Sequence, residues 1–183
     1  MIISKPTKFE VDNIDLSGQA ELIKDCYSAQ FLNKEAGIEH YKLLAWISTQ
    51  VKKGSIVEVG CHEGAGALAL SYSGRKVETF DLMDKCHPKI KEVVKFTLAE
   101  GSNSLEAAKK AKIVFVDAIH SGVFELEFLE ELMKENNKPV IIFDDIHLND
   151  EMKAFWSEVQ KLGIDSQDWT DIGHWSGTGV VFL

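Results

Sequence analysis

Arginine is almost absent from this sequence. Arg75 stands alone beside 19 lysines, and 29 acidic residues against 20 basic ones leave a formal charge of −9. Such a surface repels a polyphosphate backbone over most of its area, so nucleic acid is a poor candidate partner. Cysteine is nearly as scarce. Cys26, Cys61 and Cys86 are odd in number and show neither C-x-x-C pairing nor zinc spacing. Reduced thiols are expected, with no disulfide framework and no zinc. No run of about 18 apolar residues occurs, which argues against a membrane span. The opening MIISKPTKFEVDNIDL lacks the apolar core and small-residue cleavage site of a secretory signal. A cytoplasmic location is therefore expected. Repeats, low-complexity tracts and linkers are missing as well.

What remains is 183 residues with 45% hydrophobic content. That is enough for one compact core and too little for two ordinary domains, so residues 1–183 read as a single domain. From Gly54 onward, short β-rich runs alternate with helical patterns: residues 55–59, 76–80, 93–97, 112–117 and 139–144. Strands alternating with helices indicate an α/β fold with a parallel sheet, doubly wound and with helices on both faces. The clearest helix follows the fifth strand, where Met152, Phe155, Trp156, Val159 and Leu162 share one face. Then DWTDIGHW and TGVVFL, separated by SG, read as a closing antiparallel hairpin, for seven strands in all. Ahead of the sheet, Leu43, Leu44, Ile47 and Val51 form a helical stripe over 40–52. Residues 1–39 read as a helical lid or cover, in which SGQAELIKDCYSAQFL is one helix capped by Ser17.

The stretch VEVGCHEGAGALAL carries the chemistry. It takes the first strand into the first crossover helix through Gly60, Gly64 and Gly66, a turn that lets backbone approach a ligand at a helix N-terminus. GAGALA satisfies G-x-G-x-x-A, and Asp81 or Asp84 lies roughly 20 residues on, so an NAD-type oxidoreductase must be weighed. Charge separates the readings. A pyrophosphate here would face Glu58 and Glu63, whereas S-adenosylmethionine (SAM), with an ammonium and a sulfonium, would be attracted by them.

The spacing E-x-G-x-x-x-G (Glu58, Gly60, Gly64) resembles the first motif of class I SAM-dependent methyltransferases, and the terminal hairpin fits their Rossmann-like sheet of five parallel strands plus an antiparallel pair. The resemblance covers roughly residues 40–183. IVFVDAIHSGVFELEFLEEL and PVIIFDDIH look like the fourth-strand and fifth-strand segments of the catechol-type, metal-dependent O-methyltransferases. The resemblance implies SAM as methyl donor, Asp81 on the ribose hydroxyls, and Gly101 with Ser102 beside the adenine. It also implies a divalent ion, most simply Mg2+, held by Asp117, Asp144 and Asp145, with Asp117 bordering the cofactor too. His120 occupies the place of that group's catalytic lysine, three residues after Asp117, and an imidazole takes a proton at neutral pH without a large pKa shift. His62 departs from the family's first motif.

The expected reaction is methylation of a hydroxyl on a small-molecule acceptor. A SAM-binding protein without catalysis would look the same at Glu58 and Asp81. Asp117 and Asp145 also have a plainer reading, as caps of the helices that follow them. Adjacent strand residues point to opposite faces, so Asp144 and Asp145 can share an ion only if the strand has already turned. His174 and Trp175 read as a solvent-facing turn and Cys61 as small-residue packing. Nothing in the pattern fixes an oligomeric state.

Overall fold

Alternation along the strands fixes the layers. In β1 (Ile56–Val59), β4 (Ile113–Val116) and β5 (Val140–Asp144), the residues Ile56, Ile113, Phe115, Val140 and Ile142 face one core. Val57, Val59, Val114, Val116, Ile141 and Phe143 face the other. Both faces are covered, which is why these strands read as continuous apolar runs. The computed structural model describes residues 3–33, 35–99 and 101–183, with the side chains at 33, 35, 36, 38, 101 and 102 outside the description.

β2 (Val77–Asp81), β3 (Lys95–Leu98), β6 (Asp165–Asp168) and β7 (Thr178–Phe182) complete a seven-stranded sheet of order β3-β2-β1-β4-β5-β7-β6. β1 to β5 pair in parallel, and β7 runs antiparallel to both β5 and β6. The chain reverses its direction of winding between β1 and β4, the switch point where α/β sheets open a crevice at the carboxyl ends of their strands.

α1 (Lys8–Asp12), α2 (Ser17–Leu22), α3 (Ala29–Asn33), α4 (Glu35–Thr49), α5 (Ala65–Leu70) and α6 (Pro88–Lys91) contribute to the first core. α7 (Gly101–Ala108), α8 (Val123–Met133) and α9 (Asp150–Lys161) cover the second face. On α9, Met152, Phe155, Trp156 and Val159 are buried as their spacing requires, while Asn149 caps the helix by accepting from the Met152 N–H at 2.7 Å. Among the described residues no helix is long and apolar enough to cross a membrane.

Three expectations need correction. Ser17 is not a cap: Leu16 occupies that place, and the Asp15 carboxylate instead accepts from the Ser17 N–H at 2.9 Å. The single helix expected over 17–32 is two, broken where residues 23–28 turn. The first strand of the terminal pair lies earlier than DWTDIGHW. Asp168 accepts from the backbone N–H and hydroxyl of Thr170, which turns the chain out of the strand. The residues after it, His174 included, belong to the loop joining β6 to β7.

Candidate active site

At the end of β1 the backbone enters the left-handed region at Gly60 (φ 92°) and again at Gly64 (φ 99°), which starts α5. A Cβ at Gly60 would lie 1.7 Å from the Asp117 carbonyl oxygen, so the ends of β1 and β4 approach more closely than any side chain allows. Between these glycines and β2 lies a cavity of about 460 Å³. Glu58, Glu63, Asp81 and Asp117 line it beside His62, and no lysine or arginine does so among the described residues.

Glu58 is 1% exposed, and its only described side-chain hydrogen bond comes from the Thr79 hydroxyl. Burial drives its pKa well above the ordinary carboxylate range, and the Thr79 bond offsets only part of that. Asp81 is the opposite case. Its Oδ2 accepts from the N–H groups of Cys61 (2.9 Å) and His62 (2.7 Å), and its Oδ1 accepts from Met83 (2.9 Å). Partial burial raises its pKa, but these backbone donors outweigh it and hold the carboxylate below its usual range. Asp81 therefore ties the glycine turn to β2. Glu63 reaches the other way, accepting from the Ser28 N–H at 2.9 Å and from the Ser28 hydroxyl and Cys26 thiol. That contact draws the N-terminal region over the cavity, where Ser28 and Tyr41 join the lining.

Beyond Asp117 the carboxylates meet imidazoles. His120 Nε2 lies 3.3 Å from Asp117 Oδ1 and 3.4 Å from Asp145 Oδ2, yet it has no hydrogen-bond partner among the described residues. The nearby Asp117 carboxylate raises the His120 pKa against the effect of burial. Asp144 is turned elsewhere: its Oδ1 lies 3.6 Å from His40 Nδ1 and 3.7 Å from His174 Nδ1. Burial alone would lower His174, but Asp144 and Asp145 push its pKa up to about 10. The expected trio thus falls into two groups, Asp117 with Asp145 and His120, and Asp144 with His40 and His174. The cause is local. The strand ends at Asp144, and Asp145 adopts φ 60°, which swings its carboxylate to the Asp117 side.

Every described non-glycine residue with positive φ belongs to this region: His62 (47°), His120 (54°) and Asp145 (60°). Such conformations persist only where surroundings over-determine them. The His120 N–H donates to Glu125 Oε1 at 2.9 Å, and its carbonyl accepts from Asn149 at 3.0 Å. Neither Asp117 nor Asp145 caps a helix, since Gly122 precedes α8 and Asn149 precedes α9. His174 is half-buried beside two carboxylates, not solvent-facing, whereas Trp175 is exposed. Cys61 is buried and lines the cavity. Gly101 and Ser102 begin α7, and their side-chain positions lie outside the described residues; Ala99 and Ser104, on either side, line the cavity.

Sequence reasoning missed His40, Leu82, Met83 and Ser176. A signal existed for His40, which stands three, four and seven residues before Leu43, Leu44 and Ile47 on the buried stripe of α4.

No family model and no curated protein matches the chain. Solved structures do. A SAH-bound methyltransferase of Podospora anserina, PaMTH1, superposes with a TM-score of 0.66 at 16% identity, over 94% of this chain and 91% of that one. An O-methyltransferase from Bacillus cereus in complex with SAH gives 0.66 at 15%, over 96% and 94%. The O-methyltransferase TomG from Streptomyces achromogenes, in complex with SAM, gives 0.61 at 15%, over 92% and 88%. The fold is therefore that of the Rossmann-like methyltransferases.

Proposed function

We propose that this chain is a SAM-dependent methyltransferase that transfers a methyl group to a hydroxyl of a small molecule. One observation carries the reading. A cavity at the switch point of a methyltransferase-type sheet is lined by four carboxylic side chains and, among the described residues, by no lysine or arginine. A pyrophosphate would meet carboxylic side chains there and no lysine or arginine, which disfavours NAD. A ligand bearing two cations meets the charge it lacks.

Glu58 fits such a ligand because a buried carboxyl without a cationic partner is a group awaiting one. Asp81 retains lone pairs for ribose hydroxyls after its three backbone bonds, and the start of α7 at Gly101 and Ser102 would border the adenine. SAM, when bound, supplies a methyl on a positively charged sulfur. The protein's part is to align the acceptor oxygen behind that methyl and to accept its proton. His120 is the group for the second task, its Nε2 facing Asp117 and Asp145.

A divalent ion suits Asp117 and Asp145, whose carboxylates lie together beside His120; the ion would take the two carboxylates and leave the His120 Nε2 lone pair for the acceptor's proton. Magnesium is content with one or two carboxylates and waters, so the set survives with Asp144 turned away. The ion would polarise the acceptor oxygen and lower its pKa. The test is SAH formation from SAM across a panel of hydroxylated small molecules. Turnover with at least one acceptor is expected, and SAM binding with no turnover across the panel would leave a binding protein.

A further inference from the structure

His40 on α4, Asp144 at the end of β5 and His174 in the loop before β7 offer one ligand atom each, all within 4.8 Å of one another. His40 and Asp144 are each 5% exposed, and the atoms facing each other, His40 Nδ1 and Asp144 Oδ1, have no hydrogen-bond partner among the described residues. Leaving a buried imidazole nitrogen and a buried carboxylate oxygen unpaired is costly. Yet His40 Nδ1 and His174 Nδ1 stand 3.6 Å and 3.7 Å from that oxygen, beyond hydrogen-bond range. They stand close to the separation that a shared ion sets. With bonds of about 2.0–2.1 Å, tetrahedral ligand atoms lie roughly 3.3 Å apart.

We propose that His40, Asp144 and His174 form a site for a divalent transition ion of the zinc type, contrary to the expectation drawn from cysteine spacing and separate from the hard-ion site at Asp117 and Asp145. Two imidazoles and one carboxylate select borderline ions over magnesium. Three protein ligands leave a position for water. In the ion-free protein the Ser176 hydroxyl bonds both Asp145 Oδ1 and His174 Nδ1, a nitrogen that also lies 3.2 Å from Asp145 Oδ1; these contacts need one proton on the hydroxyl and one on the imidazole. An ion at Nδ1 replaces the second proton and leaves Ser176 on Asp145, so the loop keeps its anchor. The ion would join three segments far apart in sequence and fix the loop carrying Trp175, which is 73% exposed.

The experiment is a Co2+ titration of the full chain in excess Mg2+, followed by visible absorption, with Zn2+ as competitor. One equivalent of Co2+ with the intense bands of a four- or five-coordinate, nitrogen-ligated ion is expected, displaced by Zn2+. His174→Ala and His40→Gln should each weaken binding by at least about 100-fold, more than loss of an outer-shell partner does, while Asp117→Asn leaves the bands in place. Circular dichroism checks each variant's fold; if His40→Gln unfolds, His174→Ala in the half-buried loop decides. Only the weak spectrum of six-coordinate Co2+, or binding abolished by Asp117→Asn and indifferent to His174→Ala, overturns the site. Methyl transfer enters none of these readouts.

Discussion

Gly66 is a glycine because of Glu58: a Cβ at position 66 would stand 2.3 Å from Glu58 Oε1 and 3.2 Å from the Phe115 ring. The first turn of α5 is thus shaped around a buried carboxyl, and the strand residue and the helix glycine act as one unit. Gly66→Ala should destabilise the ligand-free protein by about 1–3 kcal/mol, the usual scale of overpacking. Adding Glu58→Ala should recover part of that loss. Denaturant melts of the two single variants and the double variant measure the coupling, and strict additivity would show that the two do not interact.

Glu58 also sets a pH dependence. Folded, it holds its proton to a pH well above the ordinary value of 4.5; unfolded, it ionises near that value. Its stabilising contribution is therefore intact below about pH 4.5 and erodes as pH rises toward the folded pKa. Glu58→Gln should raise ligand-free stability at neutral pH by about 1 kcal/mol or more. In a chain of this size that is a melting-temperature rise of about 2–4 °C per kcal/mol. An unchanged or lower melting temperature would contradict the uncompensated carboxyl.

Asp81 has the opposite sign. Its pKa is depressed, so its contribution is present above the ordinary carboxylate pKa and is lost as pH falls through the folded value. Asp81→Ala removes the acceptor of three backbone N–H groups. It should lower ligand-free stability by about 1–3 kcal/mol, and slow amide exchange at Cys61 and His62 should become fast. Protection that survives the substitution would show that the turn is held by something else.

The proposed base gives a kinetic signature. With SAM and acceptor saturating, turnover should rise with pH through deprotonation of His120; in the ion-free protein Asp117 raises that pKa above the ordinary histidine value. His120→Ala should lower turnover by roughly 100-fold or more and leave SAM affinity nearly unchanged. A variant with near-normal turnover, or one that loses SAM instead, removes His120 from the chemistry.

Chelation addresses the hard ion. EDTA-treated protein should lose methyl transfer and recover it with Mg2+, and Asp145→Asn should require more Mg2+ for the same rate. Transfer indifferent to EDTA and to both Asp117→Asn and Asp145→Asn would show that no ion takes part.

The parallel core was legible because β1, β4 and β5 are apolar on both faces, a pattern few other arrangements produce. The glycine turn was legible through spacing alone, since Gly60 and Gly64 bracket one strand-to-helix junction. The grouping of the acidic side chains was not. Whether Asp144 and Asp145 act together depends on a single backbone angle, the positive φ of Asp145, and nothing in DDIH specifies it. His174 was misread for a related reason. A loop histidine looks solvated until the β7 register brings Thr178 opposite Asp144 and carries the loop onto the carboxylates. The N-terminal helices had weak patterns because α1, α2 and α3 are short, five or six residues each, and take their order from packing, α1 and α3 on α4 and α2 on α3.

Calorimetric titration of the full chain with SAM and, separately, with NAD tests the central claim most directly. SAM is expected to bind at one site and NAD to give no saturable heat, with Asp81→Ala weakening SAM by about 1–3 kcal/mol as a charge-assisted hydrogen bond is lost. Saturable NAD binding with no heat from SAM would contradict the methyltransferase reading at its root.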